Sequence, residues 1–274
     1  MNVQRFFDQS DLLVANLECV ISKLGTRWPS KLIHLRAPLA AAQSLATAGV
    51  DVVSVANNHA LDFGPDAFLD SLARLDAQGI DYAGGGRNAA EARAPAIMEE
   101  NGLRIAFLGY VLPFSSKTTF NTREWQAGVN RAGLTIGTPD AVGRDVRAVR
   151  ESGEADLIVV MVHGGYEYRA WPNAAQRAFA TAALDAGATL VLGHHPHVLQ
   201  GYLRREGSLV AFSLGNFVFS RFDGAANDSA ILDVTLTSDG VASLDWIPVV
   251  IVNGIPRPAT AAEAERIRKR LPEL

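Results

Sequence analysis

The chain has 274 residues, 48% of them hydrophobic and 20% charged, a composition that excludes disorder and provides for a sizeable core. A formal net charge of -4, with no lysine and arginine face able to follow a phosphate backbone, excludes nucleic acid as an expected partner. The single cysteine, Cys19, excludes an internal disulfide and a cysteine-rich zinc site, so any metal here needs nitrogen and oxygen ligands.

The opening "MNVQRFFDQSD" lacks the apolar core of a signal peptide, and no apolar run reaches the roughly 18 to 20 residues of a membrane span. The expectation is a soluble, cytoplasmic protein. "LLVANLE" (12–18) reads as a buried strand and "APLAAAQSLATAG" (37–49) as a helix, followed by a second strand in "VDVVSVAN" (50–57) and a second helix in "GPDAFLDSLARLDAQG" (64–79). The glycine run "AGGGRNAAEAR" (83–93) matches neither the dinucleotide nor the P-loop spacing and predicts a tight strand-to-helix turn. "RIAFLGYV" (104–111) is a third strand. Residues 113–139 are too long for an ordinary connection and predict either a lid or binding loop or a disordered excursion.

Helices follow in "DAVGRDVRAVRESG" (140–153) and "NAAQRAFATAALDAG" (173–187), each after or before a strand in "DLIVVMVHGG" (156–165) and "TLVLGHH" (189–195). All four helical stretches close on glycine, which tolerates the left-handed conformation of a helix end. The continuous apolarity of the strands predicts sheets covered on both faces. Beyond residue 205 the pattern changes to strands without helices, read as antiparallel hairpins with "SDG" as one turn, and "TAAEAERIRKRLPEL" reads as a surface helix. No internal repeat or low-complexity linker divides residues 1–274, so a single α/β domain is expected.

Four of these strands end in residues able to bind a metal: Glu18; Asn57, Asn58 and His59; His163; and His194, His195 and His197 of "VLGHHPH". In α/β sheets the crevice beyond the carboxyl ends of the strands is where ligands bind. A carboxylate, a carboxamide and several imidazoles suit Zn, Mn or Fe better than Ca or Mg. Individually, His163 reads as a hydrogen-bonded structural residue and the two asparagines as an Asx-turn. The histidine cluster differs, because neighbouring imidazoles without partners are costly to bury. On a regular strand His195 and His197 would sit about 6 to 7 Å apart, so they could serve two ions at about 3.5 to 4 Å separation only if the turn curls. His34 falls outside the pattern and reads as structural or surface. Arg169, in "YEYRAWP", belongs to a substrate-facing rim or to a packed loop.

"VANLECVIS", "VVSVANNHALDFG", "AGGGRNAAEARAP", "RIAFLGY", "VVMVHGGYEY", "DAGATLVLGHHPHVLQG" and "FSLGNFVF" occur in the order of the CapA family, the poly-gamma-glutamate capsule synthesis proteins, and the chain resembles that family over residues 10–270. The family is similar to the calcineurin-like metallophosphoesterases. The resemblance implies a metallophosphatase-like sandwich of two mixed β-sheets flanked by helices, with a divalent metal centre of one or two ions (Mn, Zn or Fe). It implies that Glu18 bridges the ions, that Asn58, His163, His195 and His197 are ligands, and that His59 acts as acid or phosphate contact. Asn57, His194, Asp62 and Arg169 take supporting or substrate-contact roles. The superfamily also carries a Gly-Asp or Asp-x-His element on a strand before the acidic motif, which has no counterpart ahead of Glu18. The expectation is either a site reduced to one firm ion or a first strand lying upstream of Met1.

The chemistry implied is hydrolysis of a phosphoester of a small-molecule or polymer substrate by metal-activated water. Attack on a gamma-glutamyl amide is a rival, and a polymer-synthesis accessory protein with a vestigial site and synthesis partners is a reading of another class.

Overall fold

A computed structural model describes residues 3–114, 120–219 and 223–274. The first half of the chain runs α1 (Gln4–Phe7), β1 (Val14–Asn16), α2 (Ala41–Thr47), β2 (Val52–Ser54), α3 (Pro65–Asp76), β3 (Asp81–Ala83), β4 (Gly85–Gly86), α4 (Ala89–Arg93), β5 (Ala96–Glu100), β6 (Leu103–Val111) and β7 (Gly133–Leu134). The second half runs α5 (Pro139–Ser152), β8 (Leu157–His163), α6 (Ala174–Ala186), β9 (Leu190–His194), β10 (Leu199–Arg205), β11 (Ser208–Leu214), β12 (Asp228–Thr237), β13 (Gly240–Val252), β14 (Ile255–Pro258) and α7 (Ala261–Arg268).

The central sheet has the order β10-β11-β9-β8-β6-β5. Its four inner strands are parallel, while β5 and β10 pair antiparallel at the two edges. Alternation along the inner strands divides the core. Ala106, Leu108, Ile158 and Val160 face helices α5 and α6, where they meet Val142, Val146, Phe179 and Ala183. Ile105, Phe107, Val159 and Met161 point to the other side. There they pack against Val52 and Ala83 of the parallel sheet β1-β2-β3, and against Trp246 and Val250 of the antiparallel sheet β12-β13-β14. Each fully buried aliphatic side chain contributes about 1.5 to 3 kcal/mol, so both faces of β6 and β8 hold the layers together. The expected layered α/β arrangement of sheets flanked by helices is what the chain adopts, but of the sheets among the described residues only the central one is mixed, in place of the two expected.

Three expectations change in detail. The segment 208–214 is more than a hairpin strand: Gly207, at φ +66°, closes the turn with β10 and lets β11 lie parallel to β9 inside the main sheet. The long connection 113–139 contains residues 115–119, outside the described residues, but its described part is packed. Phe120 and Trp125 are each 1% exposed, Trp125 meets Trp28 edge-on at 5.5 Å, and β7 pairs with β4. The apolar side chains at 120 and 125 therefore close the core above α3, which rules out the disordered excursion for the described stretch. Helix α7 begins with a reciprocal cap between Thr260 and Glu263, and buries Ile267 completely while Arg266 and the following Arg270 bind Asp228. The "SDG" turn is present between β12 and β13. Among the described residues no helix is long and apolar enough to cross a membrane.

Gly193, on β9 just before the histidine cluster, is forced by contact. A Cβ at this position would lie 2.0 Å from the carbonyl oxygen of Phe212 on β11. Gly193→Ala must therefore push β9 from β11, and urea unfolding is expected to show a loss of about 1 to 3 kcal/mol, the range for overpacking. An unchanged midpoint would contradict this close approach.

Candidate metal centre

The carboxyl ends of β1, β2, β8 and β9 meet on one side of the two sheets, because parallel pairing brings β1 beside β2 and β8 beside β9 in register. Glu18 follows β1 by two residues. Its Oε2 accepts from Asn16 Nδ2 at 3.3 Å. Asn57 ties the two strand ends together: its Nδ2 donates to the Leu17 carbonyl at 2.8 Å, and its Oδ1 accepts from the His59 amide at 3.0 Å. This is the Asx-turn expected of the asparagine pair, and it aims Asn58 the other way.

Four ligand atoms converge beyond it. His163 Nε2 lies 2.6 Å from Asn58 Oδ1, 3.1 Å from His195 Nδ1 and 3.5 Å from Glu18 Oε1. His197 Nε2 lies 3.9 Å from the same Glu18 oxygen. Burial pushes the His163 imidazole well below its usual pKa and the His195 imidazole down to about 3, so both are neutral and carry lone pairs. Burial also pushes the Glu18 carboxyl up to about 8, with the charge of Glu167 adding to the effect. Glu18 Oε1 is buried with no hydrogen-bond partner among the described residues. Orphaned buried acceptors are rare and costly. A divalent ion answers that cost, since ligands bound at about 2.0 to 2.2 Å stand in the separations seen here. Glu18, His163 and His195 each offer one atom within 4.8 Å of the others, and the residues present fit such an ion.

The turn after β9 does curl. His195 has φ +100° and His197 φ +58°, left-handed conformations that carry about 1 to 3 kcal/mol of strain apiece for residues with a side chain. They bring the two ring centroids to 6.1 Å while turning both rings toward Glu18. His197 is fixed from behind by Asn216, which follows β11: Nδ1 of His197 is 2.8 Å from Asn216 Oδ1. His194 is the last residue of β9 and pairs across the ladder with His163, but it is not among the groups whose ligand atoms converge. Its Nε2 is buried without a hydrogen-bond partner among the described residues, and burial pushes its pKa down to about 4.

Beside the cluster lies a second arrangement. His59 Nδ1 is 2.7 Å from Asp62 Oδ2, and that oxygen also accepts from the Leu35 amide at 2.7 Å. Lys31, whose side chain is only 6% exposed, donates to the other Asp62 oxygen and to the Asn58 carbonyl, and its ammonium lies 4.9 Å from the Trp125 ring centroid. Burial lowers the pKa of both His59 and Lys31, and Asp62 opposes the shift in each. Arg169 is exposed and is held through its backbone carbonyl, which accepts from Gln200 Nε2. His34 lies outside the cluster, with Nε2 at 2.9 Å from the Trp28 carbonyl.

Sequence reasoning missed Lys31, Asn16 and Asn216. Asn216 had a signal, since "LGN" ends a strand as the other site segments do; Lys31 arrives on an irregular segment and had none.

Residues 1–221 match the family described as bacterial capsule synthesis protein PGA_cap. The chain belongs to this family. It is 32% identical over 276 residues to a capsule biosynthesis protein CapA of Bacillus anthracis, covering 98% of the chain and 66% of that protein. It is 31% identical over 258 residues to a PGA biosynthesis protein CapA of Bacillus subtilis, covering 93% of the chain and again 66% of the relative. The chain thus spans just under two thirds of the length of these two CapA relatives. A probable polyglutamine synthesis accessory protein of Mycobacterium tuberculosis is 25% identical over 279 residues, covering 96% of the chain and 72% of that protein. Among solved structures, a hypothetical protein from Thermus thermophilus superposes with a TM-score of 0.54 at 17% identity, covering 90% of each chain, and shares the fold of this PGA_cap member.

Proposed function

We propose that the chain is a metal-dependent hydrolase of a phosphoester, acting in the synthesis or handling of a capsule or polyglutamate polymer. The observation that carries this reading is the convergence of Glu18 Oε1, Asn58 Oδ1, His163 Nε2 and His195 Nδ1 around one buried point. A divalent cation held there, Mn, Zn or Fe by the donor set, would supply a water of lowered pKa and polarisation of a substrate oxygen.

The chain's own residues supply the rest. Glu18, Asn58, His163 and His195 would hold the ion, with His197 beside them. Asn57 fixes the direction of Asn58 by engaging the Leu17 carbonyl. Asp62 occupies Nδ1 of His59, which leaves Nε2 as the nitrogen that exchanges a proton with the leaving group. Lys31 balances the Asp62 charge, and burial keeps the His59 imidazole in its neutral form. Arg169, on the exposed turn, is assigned to substrate contact; His194 supports the turn from within the sheet.

The polymer context rests on the relatives' names, and one of them, the accessory protein of Mycobacterium tuberculosis, favours a second reading: a synthesis partner without turnover. One preparation separates the two. The purified chain is loaded with Mn2+, its bound metal is counted, and hydrolysis of bis(p-nitrophenyl) phosphate, p-nitrophenyl phosphate and a gamma-glutamyl anilide is followed beside His195→Ala. Metal-dependent ester hydrolysis that falls at least about 100-fold in His195→Ala is expected, since outer-shell changes alone cost about 10 to 100-fold. A chain that binds Mn2+ but turns over no ester points to the accessory role. Turnover of the anilide alone moves the substrate class to amides.

A further inference from the structure

The turn that follows β8 carries an acid met so far only as a charge acting on Glu18. Glu167 is exposed, yet one of its carboxylate oxygens lies within 4.8 Å of ligand nitrogens of both His195 and His197. This approach is built in. The Gly164 amide donates to the His194 carbonyl at 3.0 Å and the Tyr168 amide to the Pro196 carbonyl at 2.8 Å, which clamps residues 164–168 onto the histidine turn. Gln200 Nε2 holds the next carbonyl, that of Arg169, at 2.8 Å. The Tyr168 ring stacks on His197 at 6.1 Å, so Glu167 is presented at the outer edge of that imidazole.

Glu18 stands on the inner side of the same imidazole. Its Oε1 faces His163 Nε2 at 3.5 Å and His197 Nε2 at 3.9 Å, and so looks toward two groups of donors at once. On one side are Asn58, His163 and His195; on the other are His197 and Glu167. We propose that Glu167 is the second carboxylate of a second cation position, shared with Glu18 and His197 and adjoining His195. A set of one or two imidazoles and two carboxylates suits Mn or Fe. The position opens to solvent through the exposed Glu167, whereas the first is enclosed. This inference rests on the metal-centre reading above and adds to it Glu167 as a ligand.

The test uses Mn2+ alone as probe, on the whole chain, with bound metal counted after gel filtration and the spins read by electron paramagnetic resonance. Two ions held about 3.5 to 4 Å apart are exchange-coupled, while a lone ion gives an uncoupled six-line signal. The wild-type chain is expected to bind two coupled ions. Glu167→Gln, a change on an exposed turn, is expected to keep the first ion within about threefold of its affinity and to weaken the second by more than the roughly 10 to 100-fold that loss of an outer-shell partner costs, leaving the uncoupled signal. Glu167→Asp, a carboxylate one carbon shorter, is expected to restore part of the second-ion affinity. Two coupled ions in Glu167→Gln overturn the inference, as does a wild-type chain that takes only one, and neither result touches the first position. A wild-type chain that binds no Mn2+ overturns the metal-centre reading itself.

Discussion

His163→Ala is expected to abolish tight Mn2+ binding at the first position and to lower turnover of a phosphodiester by about 10³-fold or more, with the fold retained. The expectation follows from the place of one atom. His163 Nε2 has three other ligand atoms within 3.5 Å, from three different segments of chain. Removing an outer-shell partner already costs about 10 to 100-fold in affinity, and removing a ligand at the centre of the set costs more. Stability should fall less steeply than binding. The imidazole is buried and its Nδ1 has no hydrogen-bond partner among the described residues, so its removal opens a small cavity but relieves an unsatisfied polar atom. Calorimetric titration with Mn2+, alongside circular dichroism to report folding, reads both quantities. His194→Ala serves as the contrast: an adjacent buried imidazole that lies outside the ligand set and should leave Mn2+ affinity within about threefold, short of the outer-shell range. Equal losses in the two variants would sink the assignment of roles between them.

That contrast marks how far the sequence is legible. The two layers were readable because each inner strand is apolar on both faces and each crossover helix closes on glycine, both consequences of local chemistry. The meeting of strand ends followed from the same pattern, since parallel strands deliver their last residues to one edge. What lies beyond the strand ends was harder. Strands β1 and β2 stop at Asn16 and Ser54, before the apolar runs do, because the residues that follow leave the ladder to place Glu18 and Asn58. The division of labour among the three clustered histidines depends on φ values of +100° and +58°, which no periodicity reports. Lys31 comes from the irregular stretch between β1 and α2, and only the tertiary fold brings it to Asp62. Glu167 sits in a turn whose position is set by hydrogen bonds to the histidine loop, far along the chain beyond α6 and β9.

Asp62→Ala is expected to lower the unfolding free energy by about 3 to 5 kcal/mol, the largest stability loss of any single change in the site. Asp62 is fully buried and serves three donors: the Lys31 ammonium, the Leu35 amide and the His59 ring. Its loss strands Lys31, 6% exposed, between the Asn58 carbonyl and the rings of Phe120 and Trp125. Aromatic faces attract a cation by about 0.5 to 2 kcal/mol, too little to offset a buried ammonium without its carboxylate. The penalty comes from the uncompensated charge more than from the lost pair, and that distinction is measurable. The double change Asp62→Ala with Lys31→Met should recover much of the stability, because an apolar pair can replace a buried ion pair at little net loss. Urea unfolding of the wild type, both single variants and the double variant yields the coupling energy between the two residues, expected near the upper end of the roughly 0.5 to 3 kcal/mol seen for contacting groups. A single Asp62→Ala variant as stable as the wild type would remove Lys31 from the account. In the Lys31→Met background, where no buried charge is left uncompensated, Asp62→Asn keeps the shape while presenting a neutral amide to His59, so the fold should survive better than turnover; a parallel fall in both would make Asp62 structural and leave His59 without its positioning partner.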